Sequence, residues 1–239
     1  MDINNCVALV TGANRGLGRA LVDALLEGGA SRVYAAARDI APLTDLDGRV
    51  VPLRLDLTSR QQIADATARA GDVTLLVNNA GIANFAAPFT ADPSAVAAEM
   101  DTNYTGTFEV IRAFVPVLER AGGGAIANVL SLLALASSPP MAGYSASKAA
   151  LHSLTQAIRP ELAGRGIAVH GVYPGGIDTD MLAGFDVPKA APRPVADAIV
   201  AGIQAGSEDI FPDPTALRMS DVWWSDPKTF ERAFAGTSN

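Results

Sequence analysis

The 239-residue sequence predicts an α/β protein built on a doubly wound parallel sheet of about seven strands, with helices on both faces. Strand-like and helix-like segments alternate along the chain, and the strand-like ones are continuously apolar. A strand with one wet face alternates apolar and polar residues; a strand covered by helices on both sides does not. In addition, the first strand passes into the first helix through a glycine-rich turn.

Residues 7–10, Val-Ala-Leu-Val, form a buried strand closed by Thr11 and Gly12. Leu17, Ala20, Leu21, Ala24 and Leu25 then recur at the spacing of a helix with one apolar face, which Gly28 and Gly29 stop. Residues 32–36 and 50–55 read as the second and third strands, and Pro52 places the third near an edge. A helix over 61–70 precedes a buried strand over 73–78. A long helix over 94–119, bent or ended near Pro116, follows. Then come a strand over 125–130, a helix of small and apolar residues over 144–163, a strand over 167–172, a helix over 195–205 and a last short strand over 208–211. No internal repeat or linker-like stretch interrupts this series, and the Pro-rich residues 188–194 read as a loop. The chain 1–239 therefore reads as one domain.

Composition removes several functions. With 49% hydrophobic and 18% charged residues, disorder is excluded. A single Cys excludes an intramolecular disulfide and a Cys-based zinc site, and fits a reducing compartment. His152 and His170 have no ligand-like neighbours in sequence, so no metal is expected. A net charge of −7 with scattered Lys and Arg disfavours nucleic acid and anionic membranes. No charge falls between Arg120 and Lys148, but Gly122-Gly123-Gly124, Ser137-Ser138 and Pro139-Pro140 break that stretch into a strand, a loop and a helix start. The opening Met1-Asp2-Ile3-Asn4-Asn5 lacks the basic and apolar regions of a signal peptide, which points to the cytoplasm.

In the turn Thr11-Gly12-Ala13-Asn14-Arg15-Gly16-Leu17-Gly18, glycines permit a tight bend and close backbone approach to a pyrophosphate. The helix that follows offers free N–H groups to that anion. The spacing is Gly-x3-Gly-x-Gly. Further on come Asn78-Asn79-Ala80-Gly81, Asn103, Ser131 with Tyr144-Ser145-Ala146-Ser147-Lys148, and Pro174-Gly175 with Thr179 and Met181. These motifs, in this order over roughly residues 7–181, resemble the short-chain dehydrogenase/reductase family in its compact single-domain branch, and imply a Rossmann-type sheet. Beyond Met181 the resemblance is less diagnostic.

Tyr144 and Lys148 are four apart and share one helix face. A nearby ammonium favours the phenolate, and moving a phenol from about 10 to about 7 takes roughly 4 kcal/mol. The resemblance implies that Tyr144 gives a proton to a carbonyl oxygen as hydride reaches the carbonyl carbon. Lys148 would bind the nicotinamide ribose and tune Tyr144, Ser131 would hydrogen-bond the carbonyl oxygen, and Asn103 would hold a water relaying protons to Lys148. It also implies cofactor contacts from Gly12, Asn14, Arg15, Gly16, Leu17 and Gly18 in the turn. Further contacts would come from Asp56 and Leu57 after the third strand, Asn79, Ala80 and Gly81 after the fourth, and Tyr144 and Lys148. Pro174, Gly175, Ile177 and Thr179 would complete the set.

NAD-preferring members carry an acid at the end of the second strand, where this chain has Ala37 followed by Arg38. Arg38 and Arg15 would suit a 2′-phosphate by charge and forked geometry, so NADP(H) is expected over NAD(H). Asp39 would reverse that expectation if the strand ended one residue later. The substrate implied is a small-molecule carbonyl or its alcohol, bound by Ser131, Leu133, Met141, Tyr144 and Met181, with apolar Phe85, Leu132, Leu182 and Phe185 nearby. A lid around 177–194 would move about Ala183 and Gly184. The family's habit and the Ala- and Leu-rich 144–163 helix point to a homodimer or homotetramer, and Trp223-Trp224 would serve the core, the pocket or a partner subunit. The other readings are a catalytically silent NADP(H)-binding sensor and an NAD-dependent alcohol dehydrogenase.

Overall fold

β1 (Val7–Thr11) is an interior strand of a single seven-stranded sheet in the computed structural model, which describes residues 1–43 and 47–236. The other strands are β2 (Arg32–Ala37), β3 (Val50–Arg54), β4 (Leu75–Asn78), β5 (Gly124–Val129), β6 (Ile167–Val172) and β7 (Asp209–Ile210). All pairings are parallel and the order is β3-β2-β1-β4-β5-β6-β7. The chain winds outward to β3, then crosses back to β4 on the other side of β1. Ligands of such sheets sit where that reversal opens a crevice at the strands' carboxyl ends.

Alternate residues of β1 explain its unbroken apolar run. Ala8 and Val10 pack on one face against Leu21 and Leu25 of α1 (Gly16–Glu27) and Val195 and Ile199 of α6 (Pro192–Ala205). Leu9 packs on the other face against α2 (Arg60–Arg69) and α4 (Thr107–Arg120), with Ile63, Val110 and Phe114, and α5 (Ala142–Ala163) adds Leu162. Pro52 falls on the edge strand β3, opposite Ala35, as its missing N–H requires.

The long helix of the 94–119 region is composite. α3 (Pro93–Glu99) runs through a π-helical turn (Met100–Gly106) into α4, which continues past Pro116 to Arg120. The expected end at Pro116 is not seen. Pro116 and Arg112, whose carbonyl loses its helical partner, both face outward, where water satisfies the freed oxygen. Two helices that the sequence reading omits close the chain, α7 (Pro214–Ser225) and α8 (Pro227–Ala235). Their residues Ala216 and Phe230 form a third cluster with Leu130, Leu132, Leu151 and Tyr173. Trp223 packs edge-on to Phe230, whereas Trp224 is exposed. Residues 120–148 form the end of α4, β5, a loop and the start of α5, and among the described residues no helix is long and apolar enough to cross a membrane.

A polar chain crosses the sheet's interior. The Asn78 side chain donates to Asn128 Oδ1 at 2.8 Å, Asn128 Nδ2 donates to Thr155 Oγ1 at 2.9 Å, and Thr155 donates to the Leu151 carbonyl at 2.7 Å. Asn78, Asn128 and Thr155 are all buried. Truncating the middle member strands a donor and an acceptor away from water. Asn128→Ala is therefore expected to cost about 2–4 kcal/mol and lower Tm by roughly 4–16 °C in a chain of this size, read by thermal denaturation. A Tm within 1–2 °C of wild type, on the order of experimental scatter, would refute this account.

Candidate active site

The ends of β1 and β4 are stitched together at the topological switch. Thr11 Oγ1 accepts the backbone N–H groups of Asn79 and Ala80, each at 3.0 Å, and Asn79 Nδ2 donates to the carbonyls of Thr11 at 2.9 Å and Gly12 at 3.3 Å. Gly12 has φ +66°, and a Cβ there would lie 2.9 Å from Ala80 Cα. A Cβ on Gly18 would lie 2.6 Å from Asn79 Nδ2 and 2.8 Å from the Gly12 carbonyl carbon. Gly12 and Gly18 thus let the turn close on β4. Gly16, at φ +54°, faces Thr179 instead.

The first turn of α1 is built to receive an anion. Its N-cap, Arg15, makes no side-chain cap and the first turn has no acid. By contrast, Ser59, Asp92, Asp213 and Asp226 cap α2, α3, α7 and α8. Uncapped N–H groups at the positive end of a helix, behind a turn with no room for side chains, fit a pyrophosphate.

β2 ends at Ala37, so Arg38 is the first residue beyond the strand. Arg38 is exposed and makes no ion pair among the described residues. Asp39 turns into its own loop, where Oδ1 accepts the Ala41 N–H at 3.0 Å, and Asn14 Nδ2 donates to the Asp39 carbonyl at 3.3 Å. Arg15 reaches across to residues 177–194 and pairs with Asp180 at 2.9 Å. Asp56 accepts the Thr58 N–H and hydroxyl; the N–H bond chiefly lowers its carboxyl, with the Arg38 charge contributing. Leu57 buries its side chain in the core, and its carbonyl packs so closely on Gly106 that a Cβ there would lie 2.6 Å from the oxygen.

The reactive groups converge at the ends of β5 and β6. The Ser131 hydroxyl accepts the Leu133 N–H at 3.1 Å and stands near enough to the Tyr144 phenol to favour its ionisation. Lys148 Nζ donates to the Val129 carbonyl at 2.7 Å and stands 5.7 Å from the Tyr144 ring centroid. Asn103, wholly buried in the π turn, accepts the Ile82 N–H and donates to the Ile82 carbonyl and Ser147 Oγ. Both of its amide hydrogens are thereby committed to protein partners. Gly81 lies between Asn103 and Lys148: a Cβ there would be 3.1 Å from Asn103 Oδ1 and 3.6 Å from Lys148 Nζ.

The electrostatics differ from the sequence expectation. Burial pushes the Tyr144 phenol up to about 12; Ser131 opposes this, and the Glu99 charge adds to it. Burial also lowers Lys148 to about 8. In a closed site desolvation outweighs the attraction that a Tyr/Lys pair promises on paper. Burial thus favours the neutral phenol at Tyr144.

Apolar groups ring these polar ones. Leu133 and Met141 are half-buried, Met141 bridging to Ala86. Phe85 and Phe185 meet with ring centroids 4.3 Å apart, and Met181, in the turn 180–182, is 37% exposed. Leu132 is buried in the core instead, because its carbonyl and N–H hold the turn after Ser131. Ile177 pairs with Ala190, closing the intervening segment into a loop. Pro174 accepts the Leu132 N–H, and Gly175 donates to Asp213 Oδ2 at 2.8 Å. Asp213 and Glu99 are site-supporting acids that the sequence reading missed. Asp213 had a signal, since it precedes Pro214 and so marks a helix start. Glu99 had none.

The model of the short chain dehydrogenase family matches residues 6–188. A curated relative, 3alpha-hydroxysteroid dehydrogenase of Mediterraneibacter gnavus, is 31% identical over 222 residues, covering 88% of each chain. A short chain dehydrogenase from Burkholderia cenocepacia, solved in complex with NADP, superposes with a TM-score of 0.93 at 44% identity over 100% of both chains. A short chain dehydrogenase/reductase from Burkholderia phymatum, solved with NAD, superposes with a TM-score of 0.83 at 22% identity, covering 100% of this chain and 99% of that one. The last likeness is one of fold.

Proposed function

The chain belongs to the short-chain dehydrogenase/reductase family of oxidoreductases, and we propose that it reduces a hydrophobic ketone or aldehyde with NADPH, reversibly. The observation that carries this reading is the burial of Ser131, Tyr144 and Lys148 in one place, with Lys148 Nζ 5.7 Å from the Tyr144 ring centroid. The 11–18 turn and Lys148 would hold the nicotinamide cofactor, which when bound would supply hydride to the carbonyl carbon. Tyr144 donates its proton to the carbonyl oxygen, which Ser131 holds by a hydrogen bond. Lys148 and Asn103 border the path by which that proton is replaced. The burial of Ser131, Tyr144 and Lys148 keeps water from these groups and strengthens their interactions.

NADPH is favoured by Arg38, unpaired among the described residues at the end of β2, and by the turning-away of Asp39. The B. cenocepacia neighbour, solved with NADP, supports the same choice. Arg38→Asp removes a charge-assisted partner of the 2′-phosphate, worth about 1.5–3 kcal/mol. The NADPH/NADH ratio of kcat/KM should therefore fall roughly 10- to 100-fold; an unchanged ratio sinks the assignment. The apolar lining by Leu133, Met141, Met181 and the Phe85/Phe185 pair favours a bulky, uncharged substrate, as does the hydroxysteroid relative. Following NADPH absorbance across a panel of such ketones tests the function. Tight NADPH binding without turnover on any of them would favour the silent sensor.

We further assign one domain, a homodimer or homotetramer formed through helix faces, and a cytoplasmic location. The assembly rests on the small-residue content of α5.

A further inference from the structure

Glu99 is a buried acid with no part in the reaction as described. It ends α3, four residues before Asn103, and is only 1% exposed. Oε1 accepts the Asn84 backbone N–H at 2.6 Å, and the Asn84 side chain donates back to the Ala95 carbonyl of the same helix at 3.1 Å. Oε2 lies against Gly143, the residue before Tyr144, so closely that no Cβ fits there. α5 starts without a cap of its own: Met141 makes no side-chain bond and the first turn has no acid. A carboxylate from a neighbouring helix therefore stands at the positive end of the helix that carries Tyr144 and Lys148.

Resting on the reading of Tyr144 as proton donor, we propose that Glu99 is a positioning residue for Tyr144, its one carboxylate fixing the loop after β4 through Asn84 and the start of α5 beside Gly143. Glu99 joins three segments that line the site: residues 82–86, which bring Phe85; the 141–144 turn, which brings Met141 and Tyr144; and α3. Its charge also acts on the phenol. Two charged groups face Tyr144, Lys148 from α5 and Glu99 from α3. Residues 79–87 and 132–136 carry no charge, and Ser131 adds only a hydroxyl. Burial raises Glu99 above the usual carboxylate range, the Asn84 N–H opposing, yet it is ionised at the alkaline pH where a phenol titrates. There it resists loss of the Tyr144 proton.

The test uses Glu99→Gln and Glu99→Ala in the full chain. Tyr144 ionisation is read as tyrosinate absorbance after rapid pH jumps, with Tyr144→Phe as the background. Amide exchange over residues 82–87 is read by mass spectrometry. Glu99→Gln keeps an acceptor for Asn84 but removes the charge, so exchange should stay near wild type while the Tyr144 midpoint moves to lower pH. Glu99→Ala removes both, so exchange should also speed by about tenfold or more, the loss of a hydrogen bond to a charged group. An unmoved Tyr144 midpoint in Glu99→Gln, or unchanged exchange in Glu99→Ala, overturns the proposal. If Glu99→Ala does not fold, the Glu99→Gln midpoint decides alone. Neither readout needs turnover, so a failed carbonyl panel would refute the proposed reaction and leave this result standing.

Discussion

Tyr144→Phe should lower kcat for carbonyl reduction by about 10²–10⁴-fold, the usual contribution of a positioned general acid, while NADPH affinity changes little. The hydroxyl is the only part removed. The ring still fills its buried slot, and Lys148 keeps its bond to the Val129 carbonyl. With its phenol pushed up to about 12, Tyr144 carries its proton at neutral pH and can give it up to an oxygen gaining negative charge. Ser131 does not substitute, because an unperturbed hydroxyl is far less acidic than a phenol. Steady-state kinetics with fluorescence titration of NADPH separate the two quantities. Turnover within tenfold of wild type, on the scale of that general-acid contribution, would remove Tyr144 from the chemistry.

Gly18→Ala should weaken NADPH binding roughly 10- to 100-fold with the fold retained. The added methyl meets the Gly12 carbonyl and the Asn79 amide, which are themselves tied to Thr11 and β4. No flexible side-chain end can yield, so the turn must open, at the about 1–3 kcal/mol typical of overpacking. The strain falls where the pyrophosphate would be cradled, so it appears as lost affinity. Gly164→Ala is the control: it has ordinary helical φ and no neighbour within 4 Å. Calorimetric titration of both variants decides the matter. Equal affinities would mean that the turn is not the phosphate cradle.

The sheet was readable from the sequence because each strand is apolar on both faces, and the register of β1 shows why: Ala8 and Val10 face one helical layer and Leu9 the other. The motif glycines were also readable, although two of them serve the closure of the turn on β4 rather than the cofactor directly. α7 and α8 were missed although each opens with Asp-Pro, as α3 does, and α8 sets Phe230 and Phe234 on one face. The Asn78–Asn128–Thr155 chain joins residues up to 77 positions apart in sequence (155 − 78 = 77) through strand pairing and helix docking, which spacing alone does not encode. The same holds for Glu99, and for the direction in which burial moves Tyr144 and Lys148. Those depend on how completely the finished fold excludes water.

The two rims of the sheet bear on solubility. On one side β3 is interrupted by Pro52, which has no N–H to offer an incoming strand; on the other β7 is only two residues long. Neither rim presents an extended ladder of open main-chain groups, so the sheet is a poor template for strand addition and for the fibrous aggregation that follows from it. Copies of the chain that associate are left with side-chain surfaces for the purpose. Contacts of that kind saturate in closed symmetric assemblies rather than growing without limit.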